Sequence, residues 1–273
     1  VTYFLGWQYA CDEGIIMGLA SYGDPIATIP GKDLTYLEVF EKAIIEEDDF
    51  KFKLTMPDFF DFYEARDVWI GKKFIEYFGP KRDWDSELTD HHMNIAAGLQ
   101  KRLEDVVIAQ LRSAKNKYKM NNLCISGGVG LNCTLNGKIV QQGIFDEVFV
   151  VPPSGDAGTT IGGCYLGLKI LKSDIEIRAR HNFYLGSRFT NEEIEKSLKA
   201  LNVEYSKSKN IYKDTASLLA DGLIIGWFQD GSEFGPRALG NRSILADPRR
   251  PEMRDHINLS LIHISEPTRL LSI

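Results

Sequence analysis

Residues 122–132 read NLCISGGVGLN, and this stretch indicates the fold class. A short apolar run ends in two glycines and leads into a helix-forming segment that continues to about residue 142. A second apolar run, EVFVV at residues 147–151, is followed by PPSGDAG and a segment of small residues ending near residue 171. Strand, helix, strand and helix at this spacing predict a βαβα unit. We therefore expect an α/β fold whose sheet is at least locally parallel.

The clearest periodic pattern lies just before this unit. Apolar residues recur every three or four positions between Leu88 and Tyr118, which predicts a long amphipathic helix. Residues 51–87 show no clear period and are predicted as irregular structure with one helix around 69–78. Further elements are predicted as helices over 34–50, 191–201 (opened by a capping box of Thr190 and Glu193) and 212–220, and as a core strand over 223–229.

Composition limits the classes of partner. The 273 residues carry a net charge of −6, which argues against a nucleic-acid partner because phosphate backbones attract clustered Lys and Arg. The sequence contains no run of eighteen apolar residues, so we expect no membrane association. The four cysteines form no CxxC pair and lie in apolar or glycine-rich segments. Buried thiols and a cytoplasmic location are therefore expected.

The glycine stretch has the features of a phosphate-binding turn. Gly127 and Gly128 join a strand to a helix, where backbone N–H groups and a positive dipole end can meet an anion. Asn132 and Asn136, four residues apart, would share one helix face and could hydrogen-bond a ribose or phosphate oxygen. The alternative is a tight turn that uses glycine only for its backbone freedom. The residues alone leave both interpretations open.

Two further stretches carry charged candidates. Asp156 in PPSGDAG is one candidate, and it is either a helix N-cap or a metal ligand. The second alternative applies beside a bound phosphate, because a cation between the carboxylate and the phosphate would remove their repulsion. The stretch SEFGPRALGNRS places Arg237 and Arg242 five residues apart and followed by Ser243, and guanidinium groups bind phosphate or carboxylate oxygens in pairs. The alternative is an ion-paired surface loop, because Glu233 lies nearby.

Four stretches together resemble the nodulation protein U and antibiotic O-carbamoyltransferase family. They are DEGIIMGLASYGDP at 12–25, ISGGVGLNCTLNGKI at 125–139, PPSGDAGTTIGG at 152–163 and GWFQDGSEFGPRALGNRSILADPR at 226–249. Their order and spacing agree with the family, and GPRALGNRS is highly specific to it. The resemblance extends over nearly the whole chain up to about Asn258.

The resemblance implies two domains. Residues 1–180 are expected to form the C-terminal part of an actin-like ATPase domain of the universal threonylcarbamoyl transferase type, which transfers the carbamoyl group. Residues 181–258 are expected to form the start of a YrdC-like α/β domain, which makes carbamoyl-adenylate from carbamoyl phosphate and ATP. Residues 259–273 match nothing expected of the family and are predicted to be a non-native tail. The family's HxxxH metal motif would precede residue 1, so this part alone is expected to be inactive.

The resemblance also implies ligands and site residues. The expected cofactors are ATP and a divalent metal ion, with iron as one candidate. The expected partners are carbamoyl phosphate and a hydroxyl-bearing small molecule such as a sugar or natural product, and a homodimer is one expected assembly. The residues implied are Glu13, Gly127, Gly128, Asn132 and Asn136 for the nucleotide, Asp156 for the metal, and Arg237, Arg242 and Ser243 for carbamoyl phosphate and ATP.

Two rival functions stay open at this point. One is a phosphotransferase of the wider actin-like class, such as a sugar or acetate kinase. The GPRALGNRS stretch argues against it, because a kinase needs no second domain to activate an anion. The other is a non-catalytic nucleotide-binding fragment.

Overall fold

The computed structural model describes residues 1–47, 50–56, 58–60, 70–172, 174, 176, 182–253 and 255–257. The chain divides into two compact units, Val1–Asp156 and Ala157–Ile273. Both units mix helices with small two-stranded sheets, which agrees with the predicted α/β class. The finer assignment to actin-like and YrdC-like domains stays a prediction. The predicted boundary at residues 180 and 181 and the predicted tail at 259–273 lie outside the described residues.

The first unit contains five helices and four strands within its described residues. β3 and β4 pair in parallel, with Asn122 opposite Glu147 and Ile125 opposite Val150, so the predicted parallel pair is confirmed. The elements are α1 (Glu13–Leu19), α2 (Tyr36–Ala43), β1 (Ile44–Glu47), β2 (Lys51–Leu54), α3 (Lys72–Phe78), α4 (Asp90–Tyr118), β3 (Asn122–Ile125), α5 (Cys133–Gln141) and β4 (Glu147–Val150), with 3-10 turns at Ala20–Tyr22 and Gly128–Leu131.

Helix α4 confirms the predicted amphipathic helix and supports the rest of the unit. It ends at Tyr118, and the next residue, Lys119, has a left-handed φ of 53° that stops the helix while its N–H still donates to the carbonyl of Lys115. The buried positions all lie in the first seventeen residues of α4, and they include the consecutive residues Ile95, Ala96, Ala97 and Gly98. This part of the helix is therefore buried on most sides, and polar side chains such as Gln100 and Glu104 are buried with the apolar ones.

An aromatic cluster forms the core of this unit. Phe74 is fully buried, and its ring centroid lies 4.8 Å from those of Phe4, Phe59 and Phe78. Phe40 of α2 stacks on Phe78 with centroids 5.5 Å apart. Tilted and edge-to-face contacts of this kind add to the large apolar area that each ring removes from water. The cluster joins α2 and α3 to the start of the chain.

One predicted helix in this unit is wrong in its second half. The expected helix over 34–50 ends at Ala43, and the chain continues as β1, which pairs antiparallel with β2. Arg102 of α4 explains the change, because its Nε donates to the carbonyl of Ile44 (2.8 Å) and its Nη1 contacts Glu46 (2.7 Å). A contact across 58 residues thus overrides the local helical pattern.

The second unit contains helices α6 (Thr159–Leu171), α7 (Asn191–Ala200) and α8 (Ile211–Ala220) and strands β5 (Ile225–Phe228) and β6 (Arg242–Leu245) among its described residues. The capping box predicted at the start of α7 is confirmed. The two strands pair antiparallel. The predicted strand over 223–229 is present as β5, but it is not a core strand, because its side chains are alternately half-buried and exposed.

The expected burial of the cysteines is wrong. Cys11, Cys124, Cys133 and Cys164 are all exposed and unpaired. Apolar neighbours in the sequence did not predict burial, because β3 alternates exposed with half-buried side chains and α6 buries none. Within the described ranges, no helix combines the length and apolar character that crossing a bilayer requires.

Candidate functional site

The glycine turn after β3 opens onto free space. Gly127 has φ 100° and ψ 162°, a conformation that essentially only glycine adopts without strain. A Cβ added at Gly127 or Gly128 would meet no atom within 4 Å. The N–H of Gly127 already donates to the carbonyl of Ser154 (2.8 Å), so it is not a free donor as the sequence suggested. The space above the turn is nevertheless open to a ligand.

The loop after β4 packs directly beside this turn. Ser154 is buried and donates its hydroxyl proton to the carbonyl of Val151. A Cβ at Gly130 would come within 3.0 Å of the Ser154 hydroxyl, so only glycine fits there without displacing the serine. Both loops follow the carboxyl ends of parallel strands, where α/β sheets commonly bind ligands. Sequence reasoning missed Ser154, whose signal was a small polar residue between Pro153 and Gly155.

Asn132 is held by the protein itself. Its Oδ1 caps α5 by accepting from the N–H of Leu135 (3.0 Å). Its amide also pairs with Gln100 of α4 in both directions, at 2.8 Å and 3.2 Å. These contacts engage both ends of the Asn132 side chain. They give it a capping role, and its predicted contact with a nucleotide stays a prediction.

Asn136 differs from Asn132 in the hydrogen bonding of its side-chain oxygen. Its Nδ2 donates to the carbonyl of Gly130 (2.8 Å). Its Oδ1 is buried and has no hydrogen-bond partner among the described residues. A buried acceptor without a partner costs about 1–3 kcal/mol, so a ligand donor at this position would be stabilising. The open glycine turn and this oxygen are the two features that fit a nucleotide.

Helix α4 supports the turn through buried polar groups. Glu104 is almost fully buried, accepts from Gln100 (2.8 Å) and forms an ion pair with Lys138 of α5. Gln100 and Glu104 lie four residues apart and therefore share one face of the helix. Two polar residues on a buried face were the available signal, and the sequence interpretation did not use them.

Glu13 begins α1 at the surface. Its Oε1 accepts from the N–H of Ala10 (2.7 Å). Met17, one turn later, places its sulfur 3.8 Å from the sulfur of Cys133, the first residue of α5. Because residues four apart share a helix face, Glu13 lies on the face of α1 that meets the start of α5. This position agrees with a role beside the glycine turn.

Asp156 is an exposed carboxylate at the start of the 3-10 turn Asp156–Gly158. Protein metal sites need several ligands, usually three or more side chains. The part of the chain that the structure describes holds no group of three or more His, Cys, Asp or Glu able to bind a metal ion. Asp156 alone does not make such a site, and no chemical step can be assigned to a metal from these residues.

In the second unit, Glu233 organises the stretch that contains the arginines. Its side chain is fully buried and accepts from the N–H groups of Leu239 (2.6 Å) and Asn241 (2.8 Å) and from Nε of Arg242 (2.8 Å). Burial raises the pKa of Glu233, but the hydrogen bonds from Arg242, Asn241 and Leu239 outweigh it and lower the pKa to about 2. Glu233 is therefore ionised at neutral pH.

The three residues predicted for carbamoyl phosphate differ in their surroundings. Arg242 uses Nε for Glu233 and Nη2 for the carbonyls of Glu233 (3.0 Å) and Gly235 (3.1 Å). Ser243 follows it in β6, and successive strand residues point to opposite faces. Arg237 lies in the exposed outer part of the loop.

Comparison with known proteins yields matches over most of the chain. The protein-family model described as carbamoyltransferase N-terminus matches residues 1–165, and the protein-family model described as carbamoyltransferase C-terminus matches residues 216–265. The second match includes the first seven residues of the segment predicted to be non-native.

Three relatives illustrate the range of similar proteins. An uncharacterized protein of Synechocystis is 37% identical over 95% of this chain and 42% of its own length. Nodulation protein NolO of Bradyrhizobium diazoefficiens is 35% identical over 90% of this chain and 42% of its own length. The 3'-hydroxymethylcephem-O-carbamoyltransferase of Streptomyces clavuligerus is 36% identical over 50% of this chain and 25% of its own length. The chain thus spans less than half the length of these relatives.

Proposed function

The chain belongs to the carbamoyltransferase family, and from this premise we propose that it is part of an ATP-dependent O-carbamoyltransferase. The proposed reaction forms carbamoyl-adenylate from carbamoyl phosphate, ATP and one water molecule, which releases phosphate from carbamoyl phosphate, and the carbamate then displaces pyrophosphate from ATP. The carbamoyl group then passes to a hydroxyl of a small molecule, with release of AMP. The observation that carries the proposal is the presence, in one chain, of segments matching both the N-terminal and the C-terminal family models.

The arginine-containing loop supports the first half-reaction. Carbamoyl phosphate is a compact dianion, and an exposed guanidinium can orient it and neutralise charge on the leaving phosphate. Arg237 has the exposed position that this role requires. Arg242 could add its Nη1 group, because its described hydrogen bonds use Nε and Nη2. Ser243 is the least supported of the three, because it lies on the other face of β6.

The glycine turn supports nucleotide binding in the first unit. Gly127 and Gly128 leave open space beside the start of α5, and the Oδ1 atom of Asn136 is a buried acceptor that a ligand hydroxyl or amino group could satisfy. Glu13 would accept from a ribose hydroxyl. We include a divalent cation at Asp156 in the proposal, with its other ligands supplied from outside the described residues.

The acceptor is proposed only by chemical class. One relative is named for carbamoylation of a hydroxymethyl cephem, and another is named a nodulation protein. We propose a hydroxyl-bearing sugar or natural product. A cytoplasmic location and a homodimer are part of the same proposal.

Exchange of labelled pyrophosphate into ATP tests the proposal. We expect exchange that depends on carbamoyl phosphate, measured with this chain alone and again after fusion to the remaining length of a relative. Arg237→Ala should lower the rate at least tenfold, since the variant loses a charge-assisted hydrogen bond. Arg250→Ala, which removes an exposed arginine outside the loop, is the control and should leave the rate unchanged.

Other outcomes favour the rival functions. Phosphorylation of an alcohol by ATP without carbamoyl phosphate would support a kinase-type phosphotransferase. ATP binding with no exchange in either protein would support a non-catalytic nucleotide-binding fragment. Either result would contradict the proposed carbamoyl transfer.

A further inference from the structure

The loop of residues 233–242, called here the arginine loop, is closed at its base by buried polar groups. Asn241 is buried, and its side chain donates to the carbonyl of Gly231 (2.7 Å). The carbonyl of Asn241 accepts from the N–H of Gln229 (3.1 Å). Glu233 lies between these groups and accepts three hydrogen bonds from the loop itself. The outer residues 236–240 are exposed by contrast.

The charges at the base of the loop cancel. Glu233 and Arg242 form a 2.8 Å ion pair in which the carboxylate is fully buried and the guanidinium is partly exposed. An anion that approaches this pair meets one positive and one negative charge, so the pair alone offers little net attraction. Arg237 is the other arginine in the loop and lies in its exposed part. Its exposed position is what lets an approaching anion reach Arg237.

From these contacts we infer that Glu233 is the positioning residue of the arginine loop and that it acts, with Arg242 as its partner, to present Arg237 to the donor phosphate. This inference rests on the proposed function for the identity of the ligand, a phosphate-bearing carbamoyl donor. It gives Arg242 a role different from the one predicted from sequence, because most of its described contacts hold the loop.

The physical reason is preorganisation. Glu233 fixes the N–H groups of Leu239 and Asn241, which lie on the return side of the loop from Arg237. Without the carboxylate, the loop would keep only contacts such as those from Asn241 to the carbonyl of Gly231 and from the Tyr184 hydroxyl to the carbonyl of Leu239 (3.2 Å). The ligand would have to supply the remaining order, and this cost would be subtracted from the affinity. Burial of the carboxylate also prevents it from repelling the incoming anion at the surface.

The test compares two buried carboxylates of the same unit. Glu233→Gln keeps the size of the side chain but removes its charge. Asp247→Asn is the matched control, because Asp247 is also buried, is also paired with an arginine (Arg249, 2.7 Å) and lies outside the loop. Two quantities are measured for this chain: amide hydrogen exchange at Leu239 and Asn241, and binding of carbamoyl phosphate by calorimetry.

We expect Glu233→Gln, but not Asp247→Asn, to accelerate exchange at Leu239 and Asn241 by about tenfold or more, the range for a lost charge-assisted hydrogen bond. Glu233→Gln should weaken carbamoyl phosphate binding by a similar factor. The effect of Arg237→Ala on binding should be smaller in the Glu233→Gln background than in the unchanged chain, because the two residues act as one unit. A purely structural role for Glu233 would give additive effects.

Other results overturn the inference. Tighter binding by Glu233→Gln would mean that Glu233 competes with the donor for Arg242, which would make Arg242 the ligand. Equal exchange in both variants would remove the positioning role. If the unchanged chain binds no carbamoyl phosphate, the proposed function fails for this chain, and the exchange rates alone decide whether Glu233 orders the loop.

Protection of α7 and α8 amides shows whether the second unit stays folded in each variant. If Glu233→Gln unfolds the second unit, Arg242→Lys is used as the test variant instead. Lysine keeps the positive charge but lacks the planar guanidinium that contacts both Glu233 and Gly235. The same faster exchange at Leu239 and Asn241 is then expected, and unchanged exchange would contradict the inference.

Discussion

The two units are held together by different kinds of buried group. In the first unit, the buried side chains are mainly apolar, and rings such as Phe4, Phe40 and Phe74 are fully shielded from water. In the described part of the second unit, Met253 is the only buried apolar side chain, while Thr215, Glu233, Asn241 and Asp247 are buried and polar. The first unit therefore depends on the hydrophobic effect, and the second depends on directional hydrogen bonds and charge.

This difference matters for the two candidate sites. In the first unit, the segment after the glycine turn is held by two buried polar residues of α4. Gln100 donates to Asn132, which follows the turn, and also to Glu104. The arginine loop of the second unit is held by polar contacts, which are those of Glu233, those of Asn241 and the hydrogen bond from the Tyr184 hydroxyl to the carbonyl of Leu239 (3.2 Å). Changes to the core should therefore affect the first unit broadly, and changes of charge should affect the second unit locally.

The largest expected effect is on the core of the first unit. Phe74→Ala removes a fully buried ring that contacts several other aromatic rings, and such substitutions cost about 3–5 kcal/mol of unfolding free energy. Hydrogen exchange should accelerate throughout α3 and α4. Amides of the arginine loop should keep their protection if the two units are stabilised independently.

The matched control is Phe52→Ala in the same unit. Phe52 is 54% exposed in β2, so its removal should change the unfolding free energy by no more than about 0.5 kcal/mol. If Phe74→Ala accelerated exchange equally in both units, the contrast between them would be wrong.

The next effect in size concerns the support of the glycine turn. Gln100→Leu removes the amide pair with Asn132 and leaves buried polar groups unpaired, at a cost of about 1–3 kcal/mol. The amide of Leu135, which Asn132 caps, should exchange faster, and ATP binding should weaken. Mass spectrometry of exchanged peptides and an ATP titration measure the two quantities.

Gln110→Leu on the same helix is its control. Gln110 donates to the carbonyl of Phe50 (2.6 Å), away from the turn, so its loss should leave Leu135 exchange and ATP affinity unchanged. Equal effects of the two variants on Leu135 would show that α4 supports the turn only through its general stability. The hydrogen bonds between Gln100 and Asn132 would then have no special role.

Local patterns were predictable from the sequence. The helix α4, the capping box at Thr190 and the parallel pair β3 and β4 depend on the spacing of residues that are close in the chain. Contacts between distant residues were not predictable in this way. Arg102 reaches β1 across 58 residues, and Gln100 reaches Asn132 across 32, and neither leaves a periodic signal.

The candidate sites show the same division. The sequence located the glycine turn and the arginine stretch, because glycine and arginine have distinctive chemistry. It did not reveal that Glu233 is buried, because an acidic residue in a polar stretch is usually exposed. Consequently Arg242 was predicted as a ligand, whereas the described structure engages much of its guanidinium within the loop.

The smallest expected effect is a local loss of the arginine loop at acid pH. Burial raises the pKa of Glu233, but its hydrogen bonds outweigh burial, and the pKa falls from 4.5 to about 2. A carboxylate with a lowered pKa in the folded state stabilises the fold fully above its unfolded pKa of 4.5, and this contribution is lost as the pH falls toward 2. The amides of Leu239 and Asn241 should therefore lose protection between pH 5 and about 2.5, after correction for intrinsic rates.

The amides of Ile95 and Ala96 in α4 give the comparison, because the buried side chains of these two residues carry no charge. Hydrogen bonds from Arg249 outweigh burial and lower the pKa of Asp247 from 3.8 to about 2, so the amide of Arg249 should lose protection in the same range. In Glu233→Gln, the pH dependence should disappear at Leu239 and Asn241 but persist at Arg249. Constant protection of all three amides down to pH 2.5 would mean that these carboxylates do not stabilise the second unit. The conclusion that polar groups stabilise the second unit, in contrast to the apolar first unit, would then be wrong.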